Sequence, residues 1–212
     1  MMKPAYDAVI FDLLTALLDS ASLWNKVAGG EAEGRRWRAA YLRRTYRSGA
    51  YRPYETLVAE AAEEAGLSAE HARELAAHYG EVKPWPEAHE VLATLKQHVP
   101  LAVVTNCSEA LAAKAIAAIG IEFDVVVTAE RAGVYKPDPR PYRMALEELG
   151  LTAERCLFVA GSPFDLFGIV KVGLAGYWHD RTGMAVPPEV PKLVAHHDTL
   201  KPLVDVVLGR LT

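Results

Sequence analysis

The segment Tyr6-Asp-Ala-Val-Ile-Phe-Asp12 decides the fold of this chain. Four apolar residues stand in a row, two of them β-branched, which is typical of a short buried strand. The run ends in an aspartate, and Asp12 is therefore expected where the strand leaves the edge of its sheet. From this point outward, the rest of the chain decides what kind of sheet surrounds that carboxylate.

Two kinds of pattern follow the first strand. From residue 20 to about 80 the chain is rich in Ala, Glu, Arg and Leu at helical spacing, with no strand-like run. Four helices are predicted there: one capped by Ser20 or Ser22, then 31–45, 54–65 and 68–79. After residue 84 the pattern alternates, with strands predicted at 101–105, 123–128, 156–160 and 174–178. Helices are predicted at 87–98, 109–119, 140–149, 165–172 and 202–211.

Strands that alternate with helices predict an α/β fold, a doubly wound parallel sheet with a Rossmann-like core. We expect residues 1–17 and 84–212 to form this core and residues 18–83 to form a helical cap inserted after the first strand. Ligands of open parallel sheets bind at the carboxyl ends of the strands. That rule brings Asp12, Thr105-Asn106 and the residues after Ala160 around one crevice, under the cap.

Composition narrows the class of protein. The 212 residues carry a net charge of −4, with pI about 6.0 and two cysteines far apart in sequence. These values favour a reducing, cytoplasmic location and argue against a dedicated nucleic-acid partner. No apolar run reaches the roughly 18 residues of a membrane span, and the acidic N-terminal stretch is unlike a signal peptide. Seven of the fourteen arginines fall within residues 35–54, so the cap is expected to offer cations to a small anionic substrate.

Taken singly, the polar residues at the strand ends have ordinary explanations. Asp12 could cap a turn, Thr105-Asn106 could cap the next helix, and Asp165 could open a helix. Lys136 stands in Val-Tyr-Lys-Pro-Asp-Pro, where the prolines would hold an otherwise solvated side chain at one place. All four stand in a fixed order, each near the end of a strand, and the combination is more informative than any member.

That combination resembles the haloacid dehalogenase-like hydrolase superfamily over nearly the whole chain. The four motifs of that family correspond to 11–19, Thr105-Asn106, 136–138 and 158–165, and the helical insert resembles its cap. The resemblance implies that Asp12 is a nucleophile that forms an ester, which water then hydrolyses. Lys136 would keep this carboxylate ionised, and Thr105 and Asn106 would orient the attacked group.

Two positions separate the subfamilies. Phosphatases of the superfamily carry a second aspartate two residues after the nucleophile, where this chain has Leu14, and a further acidic residue where it has Gly161. Asp12 and Asp165 alone are a thin ligand set for Mg²⁺, so no metal or other cofactor is expected. The resemblance is greater to 2-haloacid dehalogenases, which need no metal. It implies that Arg38 and Asn106 receive the halide, that Tyr142 binds substrate, and that Asp165 holds Lys136 or positions water.

The chain also departs from the dehalogenase pattern. Thr15-Ala16 stands where that subfamily has Gly-Thr, so a hydroxyl near Asp12 is lost or displaced by one residue. A serine, an asparagine and a tryptophan of its fourth motif correspond to Ala160, Ser162 and Phe164. Leu14, Ser162 and Phe164 complete the predicted substrate-binding set. Three functions stay open: a metal-independent 2-haloacid dehalogenase, a phosphatase with a degraded Mg²⁺ site, and a non-catalytic ligand-binding protein.

The remaining candidates have simpler interpretations. Cys107 and Cys156 are expected to fill the core, and no histidine pair has metal-ligand spacing. We expect His179 at the surface and His196-His197 in a loop. An arginine- and tyrosine-rich cap could bind nucleic acid, but the acidic average disfavours this. The alanine-rich stretch 111–118 predicts either a tightly packed helix or the face of a homodimer.

Overall fold

The computed structural model describes residues 3–181, 183 and 193–210. Its strands are β1 (Ala8–Phe11), β2 (Leu101–Thr105), β3 (Val125–Thr128), β4 (Cys156–Ala160), β5 (Ala175–His179) and β6 (Ala195–His197). The helices of the first half are α1 (Ser20–Val27), α2 (Glu31–Arg47), α3 (Tyr54–Glu64), α4 (Ala69–Ala77) and α5 (Ala88–Lys96). Those of the second half are α6 (Glu109–Ile119), α7 (Ala129–Ala132), α8 (Pro139–Leu149), α9 (Pro163–Ile169) and α10 (Leu203–Leu208).

The described strands form one parallel sheet in the order β3-β2-β1-β4-β5-β6. β1 lies between β2 and β4, so Phe11 pairs with Val103 on one side and with Val159 on the other. The chain winds outward on one side of β1 and then on the other, as in doubly wound folds. The α/β class and the Rossmann-like arrangement predicted from the sequence are confirmed.

Both faces of β1 are buried, which explains its uninterrupted apolar sequence. Val9 and Phe11 belong to the larger hydrophobic cluster, while Ala8 and Ile10 belong to the cluster on the other face. Successive side chains of a strand point to opposite faces. Because helices cover both faces, every residue of β1 is apolar. The polar side chain of Asp12 follows directly, where the strand ends.

Helices α1–α4 lie between β1 and the rest of the sheet in sequence. Leu18 and Pro84 form an isolated antiparallel bridge, so the insert leaves and rejoins the core at adjacent points. The larger hydrophobic cluster continues from the sheet into the insert without interruption. The division into a core of residues 1–17 and 84–212 and a cap of residues 18–83 stays a prediction.

Several local predictions need correction. Asp19, rather than Ser20 or Ser22, caps α1 by accepting the backbone N–H of Ser22 at 3.1 Å. His196-His197 lies in β6, which pairs with β5 and was not predicted, since its residues alternate poorly. His179 ends β5 and is fully buried rather than exposed.

Other predictions can be compared directly with the structure. Cys107 and Cys156 are free and buried, as expected. The proline-rich residues 186–191 predict a surface loop, and they lie outside the described residues. In the part of the chain that is described, no helix combines the length and the apolar composition needed to cross a bilayer.

Candidate active site

The carboxyl ends of the central strands place four functional side chains at one edge of the sheet. Asp12 follows β1, Asn106 follows β2, and Asp165 stands in the first turn of α9, after β4. Lys136 lies in the connection between α7 and α8. The crevice predicted from the strand-end rule is therefore where these residues meet.

Asp12 is almost fully buried and is held by five atoms around it. Its Oδ2 accepts hydrogen bonds from Thr15 N (3.0 Å), Thr15 Oγ1 (2.6 Å) and Ala16 N (3.2 Å). Its Oδ1 accepts one from Lys136 Nζ at 2.8 Å, and its own N–H donates to Val159 O. The hydroxyl that the sequence left as lost or displaced is displaced, since Thr15 supplies it.

These contacts decide the charge of Asp12. Burial alone would raise the pKa of its carboxyl group, because a charged form is poorly solvated in the interior. The Lys136 ammonium and the hydrogen bonds from Thr15 outweigh burial and lower the pKa below its usual value. Asp12 is therefore ionised at neutral pH, as a carboxylate nucleophile must be.

Lys136 joins the two acidic residues of the site. Its buried Nζ lies 2.8 Å from Asp12 Oδ1 and 2.8 Å from Asp165 Oδ1. Burial by itself lowers the pKa of Lys136, but the two carboxylates raise it above its ordinary value. The Asn106 side chain fixes this lysine through its backbone: Oδ1 accepts from Lys136 N at 2.7 Å, and Nδ2 donates to Lys136 O at 3.2 Å.

The pKa of Asp165 lies above its ordinary value, whereas that of Asp12 lies below. Burial is the main cause that raises its pKa to about 6, and the negative charge of Asp12 adds to it, while Lys136 and Tyr142 act in the opposite direction. Tyr142 is fully buried, and its hydroxyl donates to Asp165 Oδ1 at 3.2 Å. Two carboxylates of unequal pKa at one site suit one for attack and the other for proton transfer.

A cavity of about 80 Å³ opens onto these groups. A single water needs roughly 10–15 Å³ by the same measure, so the space suits a small molecule. Eight of the ten candidate residues line it: Asp12, Leu14, Arg38, Asn106, Lys136, Ser162, Phe164 and Asp165.

Two candidates, Thr105 and Tyr142, are not among the residues that line the cavity. Thr105 is fully buried at the end of β2, and its Oγ1 has no hydrogen-bond partner among the described residues. Tyr142 lies behind Asp165, where its hydroxyl meets the carboxylate. For both residues this placement differs from the predicted contact with substrate.

Arg38 enters the cavity from α2. Its neighbour Trp37 is fully buried and donates its indole N–H to Val58 O at 2.9 Å, which fixes the orientation of the helix. Burial lowers the pKa of Arg38, although an arginine in a protein stays protonated. Within the described residues its guanidinium has no hydrogen bond and no ion pair. The cavity thus contains a cation available to an anionic ligand.

Aromatic and apolar side chains that the sequence did not single out as site residues also line the cavity. They are Trp24, Tyr41, Leu42, Tyr46 and Tyr54. The tyrosines were visible as residues interleaved with arginines on the predicted cap, whereas Trp24 on α1 had no such signal. Phe164 packs edge-on against Tyr46, with ring centroids 5.3 Å apart. The wall is apolar apart from the tyrosine hydroxyls, the Trp24 indole N–H and Arg38, so it limits the water around a small ligand.

The acidic residues do not fit a divalent metal ion. Among the described residues, no group of three or more His, Cys, Asp or Glu side chains could hold one. Lys136 Nζ already lies between Asp12 and Asp165, where its charge would repel a second cation. Gly161 offers no ligand, and any side chain there would collide with Ala16, since a Cβ would lie 2.2 Å from Ala16 N.

Comparison with known proteins places the chain in a family. The model of the haloacid dehalogenase-like hydrolases matches residues 6–173. The chain belongs to this family of hydrolases. The matched range runs from the first residue of the segment that ends in Asp12 to the loop after α9, and it includes the helical insert and all the residues that line the cavity.

The relatives include dehalogenases and phosphatases. An (S)-2-haloacid dehalogenase of Pseudomonas putida is 29% identical over 86% of this chain and 88% of its own length. A phosphoserine phosphatase of Thermus thermophilus is 35% identical, over 65% of this chain and 57% of its own length. Among solved structures, the L-2-haloacid dehalogenase of Xanthobacter autotrophicus with chloropropionic acid covalently bound has a TM-score of 0.86 at 22% identity. The matched region covers 96% of this chain and 99% of the dehalogenase chain, and the two share the same fold.

Proposed function

We propose that this hydrolase removes the halogen from a small 2-haloacid, through an ester on Asp12 and without a metal ion. The observation that carries the proposal is the Asp12–Lys136–Asp165 group in a small cavity with Arg38, which has no partner among the described residues. The ionised Asp12 lines the cavity in which C2 of the acid would bind, and the Arg38 cation is available to bind the departing halide. The dehalogenase of Pseudomonas putida, which aligns with most of the chain, supports the same reaction.

The first half of the reaction is a substitution at carbon. Within the described part of the chain, Asp12 Oδ1 accepts a single hydrogen bond, from Lys136, whereas Oδ2 accepts three. We therefore assign Oδ1 as the attacking oxygen, because it keeps a lone pair for the new bond. Oδ1 bonds to C2 of the acid, the carbon–halogen bond breaks, and the halide leaves with the electron pair. Arg38 and the remaining N–H of Asn106 Nδ2 would receive the negative charge.

The second half is hydrolysis of the ester. Water attacks Cγ of Asp12 and gives its proton to Asp165, and negative charge develops on Oδ2. Thr15 N, Thr15 Oγ1 and Ala16 N already point at this oxygen, and donors aimed at developing charge lower the barrier. The Cγ–Oδ1 bond then breaks, Asp165 returns its proton to Oδ1, and the 2-hydroxy acid leaves. The proton that remains on the oxygen from water is released to solvent, which restores the Asp12 carboxylate. Asp12 keeps one oxygen from water.

The role of Asp165 predicts a dependence of the rate on pH. With a pKa of about 6 in the free enzyme, Asp165 is protonated at lower pH and cannot accept a proton. In the ester Asp12 is neutral, and one cause of the raised pKa disappears. We expect kcat to be constant above pH 7 and to fall about tenfold per unit at pH values well below an inflection at or below 6. A pH profile of kcat measures this, and the residual activity of Asp165→Asn should lack the inflection. An inflection above pH 7 would contradict the role.

The proposed function is tested by halide release from chloroacetate and from both enantiomers of 2-chloro- and 2-bromopropionate. We expect release from at least one of these acids, unchanged by a chelator or by added Mg²⁺. In parallel, phosphate release from sugar, nucleotide and aryl phosphates is measured with Mg²⁺. The expected result there is no turnover, because Leu14 cannot transfer a proton and the acidic residues do not fit a metal. Phosphate release without halide release would favour the phosphatase alternative.

A matched pair of arginine variants shows whether halide release uses this cavity. Arg38→Met removes the unpaired cation and should lower kcat/KM about a hundredfold or more. Arg36→Met removes an exposed arginine of the same helix, which pairs with Glu33 at 3.2 Å, and should leave kcat/KM within about twofold. Equal effects in both variants would contradict the assignment of Arg38.

A further inference from the structure

The loop that donates hydrogen bonds to Asp12 itself accepts hydrogen bonds from two side chains. Trp85 Nε1 donates to Thr15 O at 2.9 Å, and His179 Nδ1 donates to Ala16 O at 2.7 Å. Thr15 O and Ala16 N belong to the same peptide group, which is planar. The Trp85 hydrogen bond to Thr15 O therefore also fixes the direction of the Ala16 N–H, which points at Asp12 Oδ2. His179 binds the carbonyl of the next peptide, Ala16–Leu17.

Gly161 packs closely against the Thr15–Ala16 peptide. A Cβ on Gly161 would lie 2.2 Å from Ala16 N and 2.3 Å from Thr15 C, closer than side-chain atoms can approach. Only glycine lets the end of β4 come this near to the Thr15–Ala16 peptide. The Thr15–Ala16 peptide thus lies between the Gly161 backbone and the Trp85 donor, and His179 fixes the peptide that follows it.

The proton positions on His179 follow from its partners. Ala16 O can only accept, so Nδ1 carries the proton, and Arg181 Nε can only donate, at 3.0 Å, so Nε2 is the acceptor. The imidazole is therefore neutral and in one tautomer. Arg181 is paired in turn with Glu87, a buried carboxylate that also accepts Leu200 N at 3.0 Å. The ring of Trp85 lies 5.0 Å from the Arg181 guanidinium.

We propose that Trp85 and His179 are positioning residues: Trp85 holds the Thr15–Ala16 peptide and His179 holds the adjoining Ala16–Leu17 peptide, so that the Ala16 N–H is aimed at Asp12 Oδ2. Arg181 and Glu87 fix the tautomer in which His179 can donate. The inference rests on the proposed function, because the aimed donors act on the oxygen that becomes charged during ester hydrolysis. Neither side chain lines the cavity, so neither touches substrate.

Kinetics separates this role from substrate binding. Trp85→Phe removes the N–H donor and keeps an aromatic ring, and His179→Leu removes the other donor. Because ester hydrolysis depends most on the charge at Oδ2, we expect kcat to fall about tenfold, with KM unchanged or lower. The fraction of enzyme found as the Asp12 ester in the steady state, measured by mass spectrometry of the quenched protein, should rise.

The chain offers matched controls. His179→Asn places an amide N–H where Nδ1 stands and should recover most of the kcat lost in His179→Leu. Trp178→Phe removes an indole N–H that has no hydrogen-bond partner among the described residues, and its kcat should stay within about twofold of the wild type. Equal losses in the Asn and Leu variants, or a loss in Trp178→Phe as large as in Trp85→Phe, would overturn the proposal.

A readout without substrate tests the positioning itself. Amide hydrogen exchange followed by NMR should speed up at Ala16 by about tenfold or more in Trp85→Phe and His179→Leu, while Val103 in β2 keeps its wild-type rate. A general loss of stability would speed exchange at both amides. Unchanged exchange at Ala16 would overturn the proposal whatever the enzyme does with haloacids. A wild-type protein that releases no halide would instead overturn only the proposed reaction.

Discussion

Replacement of Asp12 by asparagine is expected to abolish halide release, with a loss in kcat of about ten-thousandfold or more. The amide has nearly the size of the carboxylate and can still accept the hydrogen bonds from Thr15 and Ala16, so the fold is kept. It lacks the negative charge and the nucleophilic oxygen that the proposed ester requires. Halide release in the presence of excess 2-haloacid measures the loss.

The fate of oxygen shows directly whether the ester forms. With enzyme in excess over substrate in heavy-oxygen water, one turnover should place the label on the peptide that contains Asp12, and the product should carry unlabelled oxygen. The control is Asp19→Asn, in which the Asp12 peptide should be labelled as in the wild type. Asp19 caps α1 and does not line the cavity, and asparagine caps helices as well as aspartate does. Label found only in the product, with none on the Asp12 peptide, would contradict the covalent route.

Much of the fold follows from residues 6–12 and the alternating elements after residue 84. The predicted strands are buried on both faces, and a continuous apolar run signals this directly. The site could be predicted to the extent that its residues follow strand ends, because the parallel sheet brings those ends together. Asp12, Asn106 and Asp165 lie at such positions, and their side chains line the cavity.

The rest of the site depends on contacts between distant parts of the chain, for which a single sequence has no signal. Thr15 supplies the hydroxyl because the turn after β1 points its side chain back at Asp12. His179 was expected at the surface because it follows the last predicted strand, but β6 and the Glu87–Arg181 pair cover it. The predicted cytoplasmic location, the absence of nucleic-acid partners and the homodimer stay predictions.

Replacement of Lys136 by methionine should lower both the rate and the stability. Lys136 Nζ lies between two buried carboxylates, and without it Asp12 and Asp165 face each other in the interior. Removing one partner of a buried ion pair costs about 3–5 kcal/mol of unfolding free energy. Asp12 also loses the charge that keeps it ionised, so kcat should fall about a thousandfold or more.

The stability loss should grow as pH rises. Lys136 lowers the pKa of both carboxyl groups, so its removal should raise the folded pKa of Asp12 above the unfolded value near 4 and raise that of Asp165 further. The folded variant then binds more protons than the unfolded chain between pH 4 and its raised pKa values, and its unfolding free energy falls with rising pH in that window. In the wild type the pKa of Asp165 is raised to about 6, so we expect a weaker form of this trend, which ends near pH 6.

Urea unfolding of both proteins at pH 5, 6, 7 and 8 measures the difference. We expect the gap between wild type and Lys136→Met to be smallest at pH 5 and to widen up to pH 8, because a protonated carboxyl group needs no cation beside it. The double variant Lys136→Met, Asp165→Asn removes one of the two charges and should recover part of the stability at pH 8 but little at pH 5. A gap that stays constant with pH would show that lost packing of the lysine chain, and not its charge between Asp12 and Asp165, explains the destabilisation.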